Sequence, residues 1–254
     1  TFRLADLIPG NVNVILMMPQ IIEDGASISI REVTRQAVVS PGLVTEVFFD
    51  LHTHQGLITG ATLHNEDHPY PVHIHVTVFN DAGEEETFTT QTNNDRYLIE
   101  NLPTGTARVV ATLFDPGSGQ RSKIKETELL PGRQTIVDFD FTTGTYIAGR
   151  VLGAMPEETV EVVVFRGAVT DLGYIANVVF KPGSPALAVV DVDLDGHFHV
   201  ANVEPGEVTV AALSYLSEMA SMTALEDIFK NIRYDLLVVQ LEESGISGLV
   251  LRLR

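Results

Sequence analysis

The chain has 254 residues, with thirty-four acidic against sixteen basic side chains, a formal charge of −18, no cysteine and no tryptophan. So acidic a surface repels phosphate, which argues against nucleic acid and an anionic membrane as partners. The missing cysteines exclude disulfides, thiolate metal sites and a cysteine nucleophile. No apolar run is long enough for a membrane-spanning helix, so membrane insertion is not expected.

From the first residues the chain spells a motif that it repeats. FRLADLIPGNVNVIL (2–16), YLIENLPTGTARVVATL (97–113) and FHVANVEPGEVTVAAL (198–213) each read as strand, Pro-Gly turn and strand. Gly10, Gly105 and Gly206 align at spacings of 95 and 101 residues. That period suits small domains better than a solenoid. Residues 1–53 supply only the second half of such a unit. They pass through a polar patch and end in LVTEVFFDLH (43–52), whose alternation predicts a closing strand. Either more polypeptide precedes Thr1 or a neighbouring chain completes this half-sandwich, since exposed core costs about 25 cal/mol per Å2.

Residues 54–143 read as a complete unit. GLITGATL (56–63) and PVHIHVTVFN (71–80) are strands, the latter with Val72, Ile74, Val76 and Val78 on one face and His73, His75 and Thr77 on the other. TFTTQT (87–92) predicts a polar strand, and Val137, Phe139 and Phe141 a closing one. The linker from Thr142 to Thr145 is short, which predicts a stiff joint. Residues 144–254 form the third unit, opening with TYIAGRVLG, continuing through TVEVVVF (159–165) and closing with Leu249, Leu251 and Leu253. Within it, Met219, Met222, Leu225, Phe229 and Ile232 recur at helical steps, predicting a short helix near 217–233 with a capping box at Thr223–Glu226. Such a helix covers a sheet edge or binds a partner.

Asp193-Leu-Asp195-Gly196-His-Phe198 with Val203-Glu-Pro205-Gly206, and Asp95-Arg-Tyr97 with Leu102-Pro-Thr-Gly105, resemble the carboxypeptidase regulatory-like domain. That group is similar to the transthyretin-like and collagen-adhesin B-repeat sandwiches. The resemblance covers the second and third units and the latter half of the first. It departs at Asn94-Asp95-Arg96, where the family usually has glycine, and at the helical insertion. It implies an all-β chain of tandem seven-stranded Greek-key sandwiches, Ig-like or transthyretin-like, and no chemistry of its own.

Candidate sites are sparse. Asp191, Asp193 and Asp195 with Gly196 imitate the start of a calcium loop, but the twelfth position is Asn202 and not glutamate. The Asp-Gly pair equally signals a turn. His52, His54, His73 and His75 form two His-x-His pairs able to chelate zinc or copper, or simply line a solvated strand face. Glu84–Glu86 reads as a solvated charge run. Thr87, Thr89, Thr90, Thr92, Thr142, Thr143 and Thr145 occupy predicted exposed positions where O-glycosylation competes with plain strand propensity. No nucleophile elbow, zinc-protease helix or phosphate loop occurs, so no catalytic residue, cofactor or enzymatic activity is expected. The expectation is an extracellular, cell-surface structural component of a stalk, fibre or matrix that self-associates or belongs to a longer chain. The alternative is an adhesin or carbohydrate-binding accessory module with a glycan or surface ligand. Phe48, Phe79 and Phe165, predicted to face outward, are candidate contacts between domains or chains.

Overall fold

The computed structural model describes residues 4–5, 7–21, 28–47, 49, 56–64, 70–79, 85–115, 119–179, 184–216 and 232–254. In chain order the elements are β1 (Gly10–Ile21), β2 (Ile28–Val39), β3 (Gly56–Leu63), β4 (His73–Phe79), β5 (Glu85–Gln91), β6 (Arg96–Leu102), β7 (Gly105–Asp115), β8 (Gly119–Leu129), β9 (Gln134–Ile136) and β10 (Phe139–Asp140). There follow β11 (Thr145–Leu152), β12 (Glu158–Arg166), α1 (Leu172–Val179), β13 (Ala186–Asp191), β14 (His197–Val203), β15 (Gly206–Leu216), β16 (Arg233–Leu241) and β17 (Ile246–Arg252). Among the described residues the chain is all-β apart from one short helix, as its alternating patterns require.

Two compact units divide it, one of residues 1–61, 74–109 and 125–138, the other of 62–73, 110–124 and 139–254. In the first, the strand order is β1-β2-β5-β4 and then residues 105–109 of β7, and β3 lies between antiparallel β6 and parallel β9 in another sheet. In the second, the strand order is residues 119–124 of β8 and then β13-β12-β15-β16, and in another sheet β11 lies between antiparallel β14 and parallel β17. Alternate residues of both sheets meet in one core, including Ile147, Val162, Phe198, Val210, Leu241 and Leu251. This is the sandwich arrangement, with one face of each strand turned inward.

The repeated sequence is a repeated conformation. Gly10, Gly105 and Gly206 have φ of 145°, 136° and 138°, a region that a side chain all but forbids. Asn101 and Asn202, at matching positions before the turn, have φ of 59° and 58°, a left-handed conformation that asparagine tolerates best among residues with a Cβ.

A second pair of glycines fixes the opening strands. Gly60 lies directly across from Tyr97, and Gly149 from Phe198. A Cβ at either would fall 2.8 Å from its partner's ring and closer still to a backbone carbonyl of the following strand, Val137 or Leu249. The rings occupy the room that the glycines leave, the aromatic rescue of a strand glycine. The Tyr97 hydroxyl goes on to donate to the Val137 carbonyl. Burial, then the charge of Asp138, raises its pKa, so it stays a donor.

Several expectations need correction. Residues 43–47 are not a strand, and Val44 is 88% exposed. The strand lies earlier, where the supposed polar patch forms β2 against all twelve residues of β1. Its charged residues hid an alternation in which Val33 is buried. The hairpin continues onto β5, Val33 facing Glu86, and Glu86 is no solvated charge but buried, 3.9 Å from Arg35. Leu4, Leu7 and Ile8 form no strand.

Phe165 does not face outward but is 2% exposed, because α1 covers that face of β12 and β15. A strand covered on both sides reads as a nearly continuous apolar run, which TVEVVVF is. Phe79 is partly exposed beneath the Arg108 guanidinium, 5.4 Å from its ring centre. Phe48 lies outside the described residues. So do residues 217–231 of the expected helix, while Ile232 packs on the outer cluster and Arg233 begins β16. The observed helix is α1, capped by Asp171, which accepts from the Tyr174 amide at 3.2 Å. Thr90, Thr92 and Thr145 are buried, so they offer no glycosylation surface.

Neither Gly60 nor Gly149 has a positive φ, so substitution there tests space alone. Gly60→Ala and Gly149→Ala are each expected to cost about 1–3 kcal/mol, read as a lowered urea midpoint. Unchanged midpoints would show that the strands have room to part.

Candidate functional site

The metal candidates are spread over the fold. His73 and His75 project from the half-exposed face of β4, as their alternation predicts. His73 meets Phe114 edge-on at 5.5 Å, and partial burial lowers its pKa, favouring the neutral ring. His52 and His54 lie outside the described residues. Among the described residues no three His, Asp or Glu side chains converge as a metal site.

The aspartates shape a turn. Asp193 Oδ1 accepts from the amides of Asp195 at 3.0 Å and His197 at 2.7 Å. Gly196 completes the turn at φ 84°, its amide donating to the Asp193 carbonyl. The Asp195 carbonyl accepts from Arg150 Nε at 2.9 Å. Asp191 lies at the end of β13, across from Glu161. Asp193 thus acts as the side-chain cap of an Asx-type turn, a role that aspartate fills without a cation.

One heavily bonded stretch is among residues that sequence reading treated as a linker. Asp140 Oδ1 accepts from the Thr142 amide at 2.8 Å and its hydroxyl at 2.6 Å, which lowers the Asp140 pKa. Lys123, buried on β8, donates through Nζ to the Thr143 carbonyl at 3.2 Å. Its ammonium is 3.8 Å from Glu204, which also pairs with Arg166. Burial lowers the Lys123 pKa in spite of Glu204 and Asp140. From the other side, the left-handed Asn202 donates Nδ2 to the Phe141 carbonyl at 2.9 Å. Gly144 runs so close to Asn202 that a Cβ would lie 2.5 Å from its carbonyl carbon. Within the same unit β8 and β13 pair at Arg121–Ala188 and Gln120–Val189. The segment 141–144, which overlaps the expected Thr142–Thr145 linker, is thus fastened within the second unit. Asn202 was the signal, an amide matched by Asn101 before the preceding Pro-Gly turn.

A second polar group that sequence reading passed over is Glu161, which begins the apolar run EVVVF of β12. It lies between Asp191 of β13 and Leu213 of β15. Burial raises its pKa, the Tyr215 hydrogen bond opposes this, and Asp191 adds to the rise. Burial and Glu161 in turn raise that of Tyr215. On the smaller sheet, Tyr146 stacks on His199 with ring centres 5.8 Å apart and is 39% exposed.

No protein-family model and no curated protein matches the chain. Among solved structures it is similar to a streptococcal ancillary pilin, at 12% identity over 96% of this chain and 76% of that one, with a TM-score of 0.26. It is also similar to the minor pilin of Streptococcus agalactiae, at 11% identity over 78% and 96%, TM-score 0.31. A third is the major pilin subunit of Bacillus cereus, at 10% identity over 96% and 71%, TM-score 0.25. Scores and identities this low say nothing of function.

Asp193→Ala should lower stability by about 1–2 kcal/mol, equally with and without millimolar calcium. A calcium-dependent gain in melting temperature that the variant loses would make the aspartates a metal site instead. Glu161 holds its proton to higher pH when folded than when unfolded. Between its ordinary and its raised pKa the folded state therefore binds more protons, and stability falls as pH rises through that window. Glu161→Gln should remove this fall and raise the urea midpoint at neutral pH, the gap closing near pH ~4. Parallel midpoint curves for the two proteins would refute it.

Proposed function

We propose that this chain is a non-catalytic structural component of a cell-surface stalk, fibre or matrix, built of sandwich domains at 54–143 and 144–254. The carrying observation is the repeated turn, in which Gly10, Gly105 and Gly206 share one conformation, as like sandwich units in series would. Inside one compact unit, Lys123, Asp140 and Asn202 also hold segment 141–144 through four hydrogen bonds, and Gly144 leaves no space beside Asn202. The acidic surface keeps such a chain dispersed and monodisperse until specific contacts are made.

A second reading, a glycan-binding accessory module, is favoured by the half-exposed Tyr146–His199 stack, since aromatic faces are the usual platform for sugar rings. It would show as Tyr146→Ala abolishing retention on an immobilised glycan that the parent chain binds.

Negative-stain electron microscopy of native source material separates the two. Beaded fibres, spaced at about the length of one sandwich, are expected for the structural role. Discrete particles whose intact mass equals this chain would overturn it and turn attention to glycan screening.

A further inference from the structure

We propose that the core face of β1, together with Leu4 and Leu7, is a strand-accepting surface that binds an extended, glycine-bearing peptide strand with the pattern of β3 and β11. The inference deepens the structural reading above and rests on it only in taking the first repeat for a sandwich like the other two.

The first observation is a difference in burial between matching residues. Aligned on the Pro-Gly turn, Val12, Val14 and Leu16 match Ala107, Val109 and Ala111 of β7, and Val208, Val210 and Ala212 of β15. Those counterparts are fully buried, whereas Val12, Val14 and Leu16 are only partly so. Before the turn, Leu4 matches Ile99 and Val200, and Leu7 matches Leu102 and Val203, all of them buried. Leu4 and Leu7 themselves are 58% and 45% exposed. Core positions of a sandwich are thus open here, and covering them is worth about 25 cal/mol per Å2.

The second is that another repeat shows what covers such a face. Hairpin β1–β2 has the register of hairpin β15–β16. Gly10 lies across from Val39 as Gly206 does from Leu241, and Val12 from Ala37 as Val208 from Val239. Val208 and Val210 share a core with Ile147 of β11, Val200 of β14 and Leu251 of β17. The central strand of that covering sheet is β11, between β14 and β17. Leu4 and Leu7 hold the sequence place of β14 but lie in no strand. The cover that fits β1 is therefore an opening strand.

The third fixes its chemistry and source. Opening strands β3 and β11 read GLITGATL and TYIAGRVL, with isoleucine at the third place and glycine at the fifth. Ile58 and Ile147 are fully buried, and the glycines make room for the Tyr97 and Phe198 rings. Phe2, outside the described residues, holds the same place in the motif. Both opening strands of this chain are seated in their own sandwiches. A second copy thus has none to spare, and the occupant is a strand from outside these 254 residues. Nor does a charged segment suit the face, since β1 carries no charge and Arg35, across from Val14, is paired with Glu86. Strand addition combines main-chain hydrogen bonds with pockets for alternate side chains.

The probe is a fluorescent synthetic peptide of the β3 sequence, Gly56–Leu63, with terminal lysines for solubility. Anisotropy with the full chain should show saturable binding, and amide hydrogen exchange at residues 4–8 should slow when the peptide is added. Leu4→Lys should weaken binding at least about tenfold, with an unchanged urea midpoint confirming the fold. Gly60→Val in the peptide should weaken it as much, because a side chain there meets the ring. No binding, or equal binding by the Gly60→Val peptide or by a scrambled peptide with the same lysines, overturns the proposal. A parent chain that dimerises with rising concentration, and that the peptide disperses, would overturn the source in favour of an opening strand exchanged between copies. Fibres in native material without peptide binding would sink the surface and leave the stalk standing. Peptide binding by a chain that occurs as discrete particles would do the reverse.

Discussion

Where the closing strand runs beside the opening one, the backbone has room for a hydrogen atom and nothing larger. At Gly60 that space is bounded by the Tyr97 ring and the Val137 carbonyl, and at Gly149 by the Phe198 ring and the Leu249 carbonyl. Much else follows from this tightness. The aromatic ring must sit beside the glycine, which fits the register of β3 against β6 and of β11 against β14. Register in turn decides which residues of every later strand face the core, since a slip of one residue would turn each strand inside out. The glycine costs entropy, and the ring packed over it returns apolar burial in its place.

From that fixed pair the polar features take their positions. The strands leading to the Pro-Gly turns carry Asn101 and Asn202 in the same left-handed conformation. In one of them the amide reaches Phe141 and helps fasten the segment beside Lys123. The Asp193 turn performs the corresponding work at the head of β14, holding two amides that would otherwise lack partners. Polar side chains here largely complete backbone hydrogen bonding, the commonest employment of aspartate and asparagine outside regular structure.

How much of this could be read beforehand depended on whether a residue's environment was local. The alternation of β4, with Ile74, Val76 and Val78 buried, needed nothing beyond a period of two. The glycine–aromatic pairs left a trace too, as the echo of GLITG in TYIAG, although the reason for the echo lies some forty to fifty residues away. Glu86 and Phe165 were misread because their covering elements are distant in sequence. Arg35 comes from a ribbon taken for loop, and α1 falls where an apolar LGYIANVV gives little sign of a helix except its Asp171 cap. The fastening of segment 141–144 was not legible in its own residues, because the hydrogen bonds come from Lys123 and Asn202, both distant in sequence.

The parallel pairing of β11 with β17 carries a consequence for how the polypeptide is made. Ile147 and Ile246 are neighbours in the sheet and among the most widely separated residues of their repeat. Such a contact closes a large loop and forms late. During synthesis β11 must wait, its Ile147 and Val151 uncovered, until nearly the whole repeat has left the ribosome. In that interval the acidic composition is protective, since nascent chains carrying so much like charge repel one another before their cores are closed. The charge that disperses the finished molecule thus also guards it while it is incomplete.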